Sequence, residues 1–153
     1  MKELLIIAHC PSTNTQAMAS ALLEGANRER GEGVTARLLS PFATGPEDVI
    51  GAAALILLTP ENLGYMSGAL KDFFDRCYYP CLEVTQGKPC AAVIRAGHDG
   101  TGTRRALQTI LTGLRWRLVQ EPLVCRGEWR EHFLADCTEL GAALAAGLDA
   151  GIF

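Results

Sequence analysis

Residues 52–58, AAALILL, form an unbroken apolar run, and the stretch it opens constrains the chain more than any other. A run this short, bounded by Thr59 and Pro60, reads as a strand buried on both faces, the interior position of a parallel sheet. Pro60 stiffens the exit from that strand, and Gly64 permits a backbone angle denied to other residues. A helix follows. Leu70, Phe73, Phe74 and Cys77 recur at i, i+3, i+4 and i+7, the spacing of one buried helix face, with Lys71, Asp72, Asp75 and Arg76 facing water. Ser67 is placed to cap it, although Leu70 stands where a full capping box needs Glu or Gln. Tyr78, Tyr79 and Pro80 are expected to close it, since proline cannot continue a helix. Open α/β sheets build ligand sites from a buried strand, a Pro/Gly loop and a helix start. An ordinary strand-to-helix connection uses the same turn residues, and spacing leaves both readings open.

The pattern repeats along the chain. Residues 4–8, LLIIA, are a second buried strand, followed by a helix over 16–30 with Gly31 as its stop. Residues 34–39 form a weakly apolar edge strand, and 47–51 at best a short helix. Residues 90–96, CAAVIRA, are the fourth strand, and a helix after it carries Ala106, Leu107, Ile110, Leu111 and Leu114 on one face. A fifth strand lies within 118–125, interrupted by Pro122, and the last helix runs over about 131–148. Five strands alternating with helices predict an open parallel sheet covered on both faces, a three-layer α/β sandwich. Of the two common doubly wound orders, five strands suit 2-1-3-4-5. In that order strands 1, 3 and 4 are neighbours, so the unusual loops that follow them meet at one rim.

The first of those loops offers Ser12, Thr13, Asn14, Thr15 and Gln16 before a helix start. Three hydroxyls, an amide and free backbone N–H groups beside a positive helix end suit a phosphate monoester. Plain capping by Ser or Thr is the alternative. No Lys or Arg lies within the loop, which excludes a Walker loop. The Gly-x-Gly-x-x-Gly signature of a dinucleotide Rossmann domain is absent as well.

Pro60, Gly64, Met66, Ser67, Gly68, Leu70, Lys71, Phe73, Asp75 and Arg76 stand in the register P-x-x-x-G-x-M-S-G-x-L-K-x-F-x-D-R. This pattern resembles the flavin loop of the NAD(P)H-dependent FMN reductases and quinone reductases of flavodoxin-like fold. The resemblance implies FMN as cofactor, NAD(P)H as co-substrate, and a flavin, quinone or similar small acceptor. It implies that residues 12–16 hold the FMN phosphate, although Thr13 replaces the usual glycine before Asn14. It places Pro60, Glu61, Asn62, Leu63, Gly64 and Tyr65 against the isoalloxazine ring, together with Gly97, His98, Asp99, Gly100 and Thr101 from the loop after the fourth strand. Glu61 and Asn62 depart from the residues common in relatives. No catalytic side chain is implied, because the flavin carries the chemistry. Relatives usually form dimers or tetramers, so a homodimer or homotetramer is expected. Arg104 and Arg105 are poorly placed for the dipole of the helix they open, and either meet the phosphates of NADPH or are simply solvated. Two other functions fit the same fold: an FMN electron carrier without NAD(P)H turnover, and a flavin-free binding or regulatory module.

At 153 residues the chain is expected to be a single domain, 1–153. Its net charge of −3 offers no footprint for nucleic acid or an anionic membrane, and is mild for a dedicated electron carrier. No apolar run approaches the ~20 residues of a membrane span. Met1-Lys2-Glu3 leads directly into a strand and shows no cleavage site, which makes the cytoplasm the expected location. The six cysteines are then expected as free thiols, with Cys90 and Cys125 in the core and Cys10 at a loop. None has the spacing of a zinc site.

Overall fold

A computed structural model describes residues 1–153. Seven strands and five helices follow in order: β1 (Lys2–Ala8), α1 (Thr13–Glu29), β2 (Val34–Leu39), α2 (Pro46–Gly51), β3 (Ala54–Asn62), β4 (Tyr65–Met66), α3 (Gly68–Leu82), β5 (Pro89–Ala96), α4 (Thr101–Leu114), β6 (Arg117–Leu118), β7 (Leu123–Arg126) and α5 (His132–Asp149). A single 3-10 turn, Pro41–Ala43, follows β2. The parallel sheet has the order β2-β1-β3-β5, with β6 and β7 in turn on the far edge of β5. This is the expected 2-1-3-4-5 arrangement, with the fifth strand in two pieces. No helix is long and apolar enough to cross a membrane.

Alternation along the central strands explains the three layers. Leu4, Ile6, Ile56, Leu58, Ala91 and Val93 face α1 and α5. Leu5, Ile7, Leu55, Leu57, Ala92 and Ile94 face α2, α3 and α4. Every one of these side chains is buried, so both faces of β1, β3 and β5 must be covered. Helices α1 and α5 approach each other through glycine. A Cβ on Gly25 would lie 2.0 Å from the Thr138 carbonyl oxygen, and one on Gly141 would lie 2.1 Å from that of Leu22.

Three local expectations are corrected, and one, the interruption of the fifth strand at Pro122, is met. Helix α1 begins at Thr13, so residues 13–15 are its first turn rather than a loop before it. Helix α3 passes through Pro80 to Leu82. Pro80 is exposed in the last turn, and burial of Cys77 and Cys81, one turn apart, outweighs the lost hydrogen bond. The fifth strand splits because five steps of chain, from Leu118 to Leu123, lie beside three steps of β5, from Cys90 to Val93. Pro122, without an N–H to donate, sits in that bulge. Finally, the loop after β3 is a β-hairpin. Glu61 pairs with Met66 and Asn62 with Tyr65 around a two-residue turn.

The glycine crossing makes a direct prediction. Gly141→Ala raises helix propensity yet drives a methyl into backbone, and should lower unfolding stability by about 1–3 kcal/mol in urea titration. An unchanged midpoint would show slack between α1 and α5.

Candidate functional site

The carboxyl ends of β1, β3 and β5 lie side by side, and three segments rise from them. The first is the exit from β1, where the His9 N–H donates to the Leu58 carbonyl at 3.0 Å and ties β1 to β3. Ser12 caps α1: its hydroxyl accepts from the Thr15 N–H at 3.1 Å, while its own N–H donates to Thr15 Oγ1 at 3.1 Å. Thr15 is therefore buried and its hydroxyl is spent within the chain. The N–H groups of Thr13 and Asn14 have no partner in the chain. They open a 17-residue helix with no acidic residue in its first turn. Ser12, Thr13, Asn14 and Gln16 are exposed around them, and the Gln16 amide donates to the Cys10 carbonyl at 3.4 Å. Unpartnered N–H donors, hydroxyls and the positive helix end together make a seat suited to an anion, with no cation beside it. Beside the seat, burial lowers the His9 pKa below the ordinary imidazole value, so the ring is neutral at pH 7, and its Nδ1 has no hydrogen-bond partner. Burial pushes the Cys10 thiol up, which keeps it protonated.

The second segment is the β3–β4 hairpin. Leu63 and Gly64 both have positive φ, 54° and 78°, the pairing that a two-residue hairpin turn of this hand requires. Gly64 adopts it freely, whereas Leu63 is a strained choice there. Leu63 is also fully exposed, Asn62 and Gly64 are exposed beside it, and Tyr65 is partly so. Pro60 is buried inside the strand, opposite Arg95 of β5. Thr59 pins the hairpin from below, accepting from the Ser67 N–H at 3.0 Å. Ser67 then caps α3, accepting from the Leu70 N–H at 3.3 Å.

The third segment, after β5, exposes Gly97, His98 and Asp99, with Gly100 buried and Thr101 exposed at the start of α4. Glu61 joins it to the hairpin. The Glu61 carboxylate accepts from the Gly100 N–H at 3.1 Å, the Thr103 N–H at 3.4 Å and the Thr103 hydroxyl at 2.6 Å. Gly102 completes the junction, since a Cβ there would lie 2.3 Å from the Gly64 carbonyl oxygen. Glu61 thus faces the α4 N-terminus, and Thr103, fully buried, is a site residue that no sequence motif marks. Open space meets a virtual Cβ at both Gly64 and Gly97, so the two loops present bare backbone toward the rim. That surface suits a flat group with polar edges, and the free donors on α1 beside it suit an anion.

The family model for NADPH-dependent FMN reductase matches residues 40–131, three-fifths of the chain. The chain belongs to this family. Among curated relatives, the flavodoxin of Aquifex aeolicus (strain VF5) is 33% identical over 114 residues, which cover 74% of this chain and 60% of that protein. Two solved structures establish the fold as flavodoxin-like. A flavodoxin from the domain Archaea superposes with a TM-score of 0.79 at 19% identity, over 94% of this chain and 96% of its own. A flavodoxin, WrbA-like protein from Agrobacterium tumefaciens gives 0.78 at 21% identity, over 99% of both chains. Within residues 60–76, the side chains that carry the resemblance in α3 hold scaffold. Leu70 and Phe73 are core, and Arg76 clamps the turn after β2 by donating to the carbonyls of Thr44 at 2.8 Å and Pro41 at 2.7 Å.

Removing the Thr103 hydroxyl should loosen the hairpin from α4. Thr103→Val is expected to cost about 1–2 kcal/mol of stability and to speed hydrogen exchange at the Gly100 amide. Unchanged exchange there would mean that Glu61 does not hold the loop.

Proposed function

We propose that this protein binds FMN at the rim of β1, β3 and β5 and uses NAD(P)H to reduce a small acceptor such as a flavin or quinone. The observation that carries the reading is the convergence of unpartnered donors on α1 with two bare-backbone loops, in a chain of this family. Ser12, Thr13, Asn14 and Gln16 would hold the phosphate, with Thr15 fixing the turn they stand on. Asn62, Leu63, Gly64 and Tyr65 would line one edge of the ring, and Gly97, His98 and Asp99 the other. FMN, when bound, supplies hydride acceptance from the nicotinamide and electron delivery to the second substrate. The protein positions the ring, leaves one face open for stacking, and sets the ring's polarity through backbone groups. No side chain is required to move a proton at a fixed atom. In this reading residues 1–153 act as one domain, and a homodimer or homotetramer brings the exposed Phe42, Leu63 and Tyr65 under cover. The flavodoxin relative favours a second reading, an FMN electron carrier without NAD(P)H turnover.

An absorbance scan of the purified protein, before and after FMN and then NADPH, separates these. A flavin band that bleaches with NADPH and recovers in air is the expected result. A bound band that NADPH leaves intact would favour the carrier, and no change in the added FMN's spectrum would overturn the FMN site.

A further inference from the structure

Helix α4 starts without a cap of its own. Its N-cap residue is Gly100, in the left-handed region at φ 78°, and no acidic residue stands in the first turn. The cap comes from another strand. Glu61, one residue from the end of β3, accepts from the Gly100 N–H at 3.1 Å, the Thr103 N–H at 3.4 Å and the Thr103 hydroxyl at 2.6 Å. The last of these has the length of a hydrogen bond to an ionised acceptor. Gly100 and Thr103 are buried and Glu61 is half-buried, so water competes little for the three bonds.

The segments joined in this way are the two that would flank the ring. Glu61 directly precedes Asn62, Leu63, Gly64 and Tyr65, and Gly100 directly follows Gly97, His98 and Asp99. Residues 59–66 and 97–103 contain no lysine or arginine. Arg104, next along α4, is paired with Glu121. The fixed positive element between the two loops is therefore the N-terminus of α4, and the Glu61 carboxylate lies on it. Its place relative to the loops is fixed as well. The Gly64 carbonyl oxygen packs so closely on Gly102 that no Cβ would fit there, and the Thr59 hydroxyl holds the far end of the hairpin at the Ser67 N–H.

We propose that Glu61 is a positioning residue that sets the reducing power of bound FMN, by holding a negative charge on the α4 N-terminus between the two ring loops. This rests on the FMN-dependent reading above. The physical reason is the charge of the reduced ring. Oxidised FMN that takes up a hydride, two electrons and one proton, gains one negative charge. A bare helix N-terminus beside the ring favours that anion, and a carboxylate laid on the helix end opposes it. With Glu61 in place the reduced form is held less tightly, its potential is lower, and it passes electrons more readily to a second substrate.

The test compares the protein's affinities for reduced and oxidised FMN. The oxidised affinity comes from fluorescence quenching, and the ratio from the two-electron potential of bound FMN in anaerobic equilibrium with a reference dye. Glu61→Gln keeps the shape of the side chain and removes its charge. The reduced-to-oxidised ratio should rise about tenfold, an upward shift of about 30 mV for a two-electron couple. Glu61→Asp, which retains the charge, should stay within about twofold of wild type, as should Glu121→Gln, which removes an exposed acid paired with the same helix. An unchanged or lowered ratio in Glu61→Gln would overturn the proposal, as would an equal rise in Glu61→Asp or Glu121→Gln. If Glu61→Gln holds no FMN, Thr103→Val decides. It loosens the loop but leaves the carboxylate, so the ratio should not rise, and a rise would overturn the role given to charge. Failure of the wild type to bind FMN would instead strike the functional reading on which this one rests.

Discussion

Two-sided burial of β1, β3 and β5 is the constraint from which the rest of this structure follows. Their side chains alternate between two cores, and neither core tolerates water. Burying a strand on both faces leaves polar function only one place to go, the ends. The backbone N–H and C=O groups beyond the last ladder bonds are the first that are free, and the helices that cover the sheet start there with unpaired N–H groups of their own. A binding rim at the carboxyl ends is thus a product of core packing, not an addition to it.

How closely the layers approach sets how well that rim is defined. Gly25 and Gly141 let α1 and α5 meet backbone to backbone, which fixes where the α1 N-terminus stands. On the other face, Arg76 ties the turn after β2 to α3, and Ser67 links the cap of α3 to Thr59 on β3. Residues 67–76 therefore act on the rim at a distance. Their side chains hold the scaffold, while the residues that reach the rim contribute mostly backbone. Backbone donors carry no side-chain signature, so a pattern of residue types speaks more of α3 than of the loop before it.

Glu61 illustrates the gap between a residue's position and its use. Its place in the hairpin suggests a polar contact at the rim, yet its carboxylate turns back to the α4 N-terminus and welds two loops together. Negative charge at a helix N-terminus is favourable, and the three donors waiting there decide the direction. Thr15 shows the same effect on α1, with its hydroxyl absorbed by the capping box.

The sequence by itself determined the layer architecture, the strand order and the edge at which residues 12–16, 60–65 and 97–101 gather, because apolar runs and helical spacing are local signals that burial enforces everywhere. It also located the cap at Ser67 and the free thiols in the core. Tertiary structure alone decided what short-range patterns cannot carry. The helix α3 runs through Pro80 because Cys81 has a core to enter, and the loop after β3 closes into a hairpin because Glu61 and Asn62 find Met66 and Tyr65 as partners. Thr103 meets Glu61 from 42 residues away, and Arg76 meets the Pro41 carbonyl from 35. These pairings depend on which loops come within hydrogen-bond reach after the sheet has closed, and distance in space is the one quantity a linear pattern does not record.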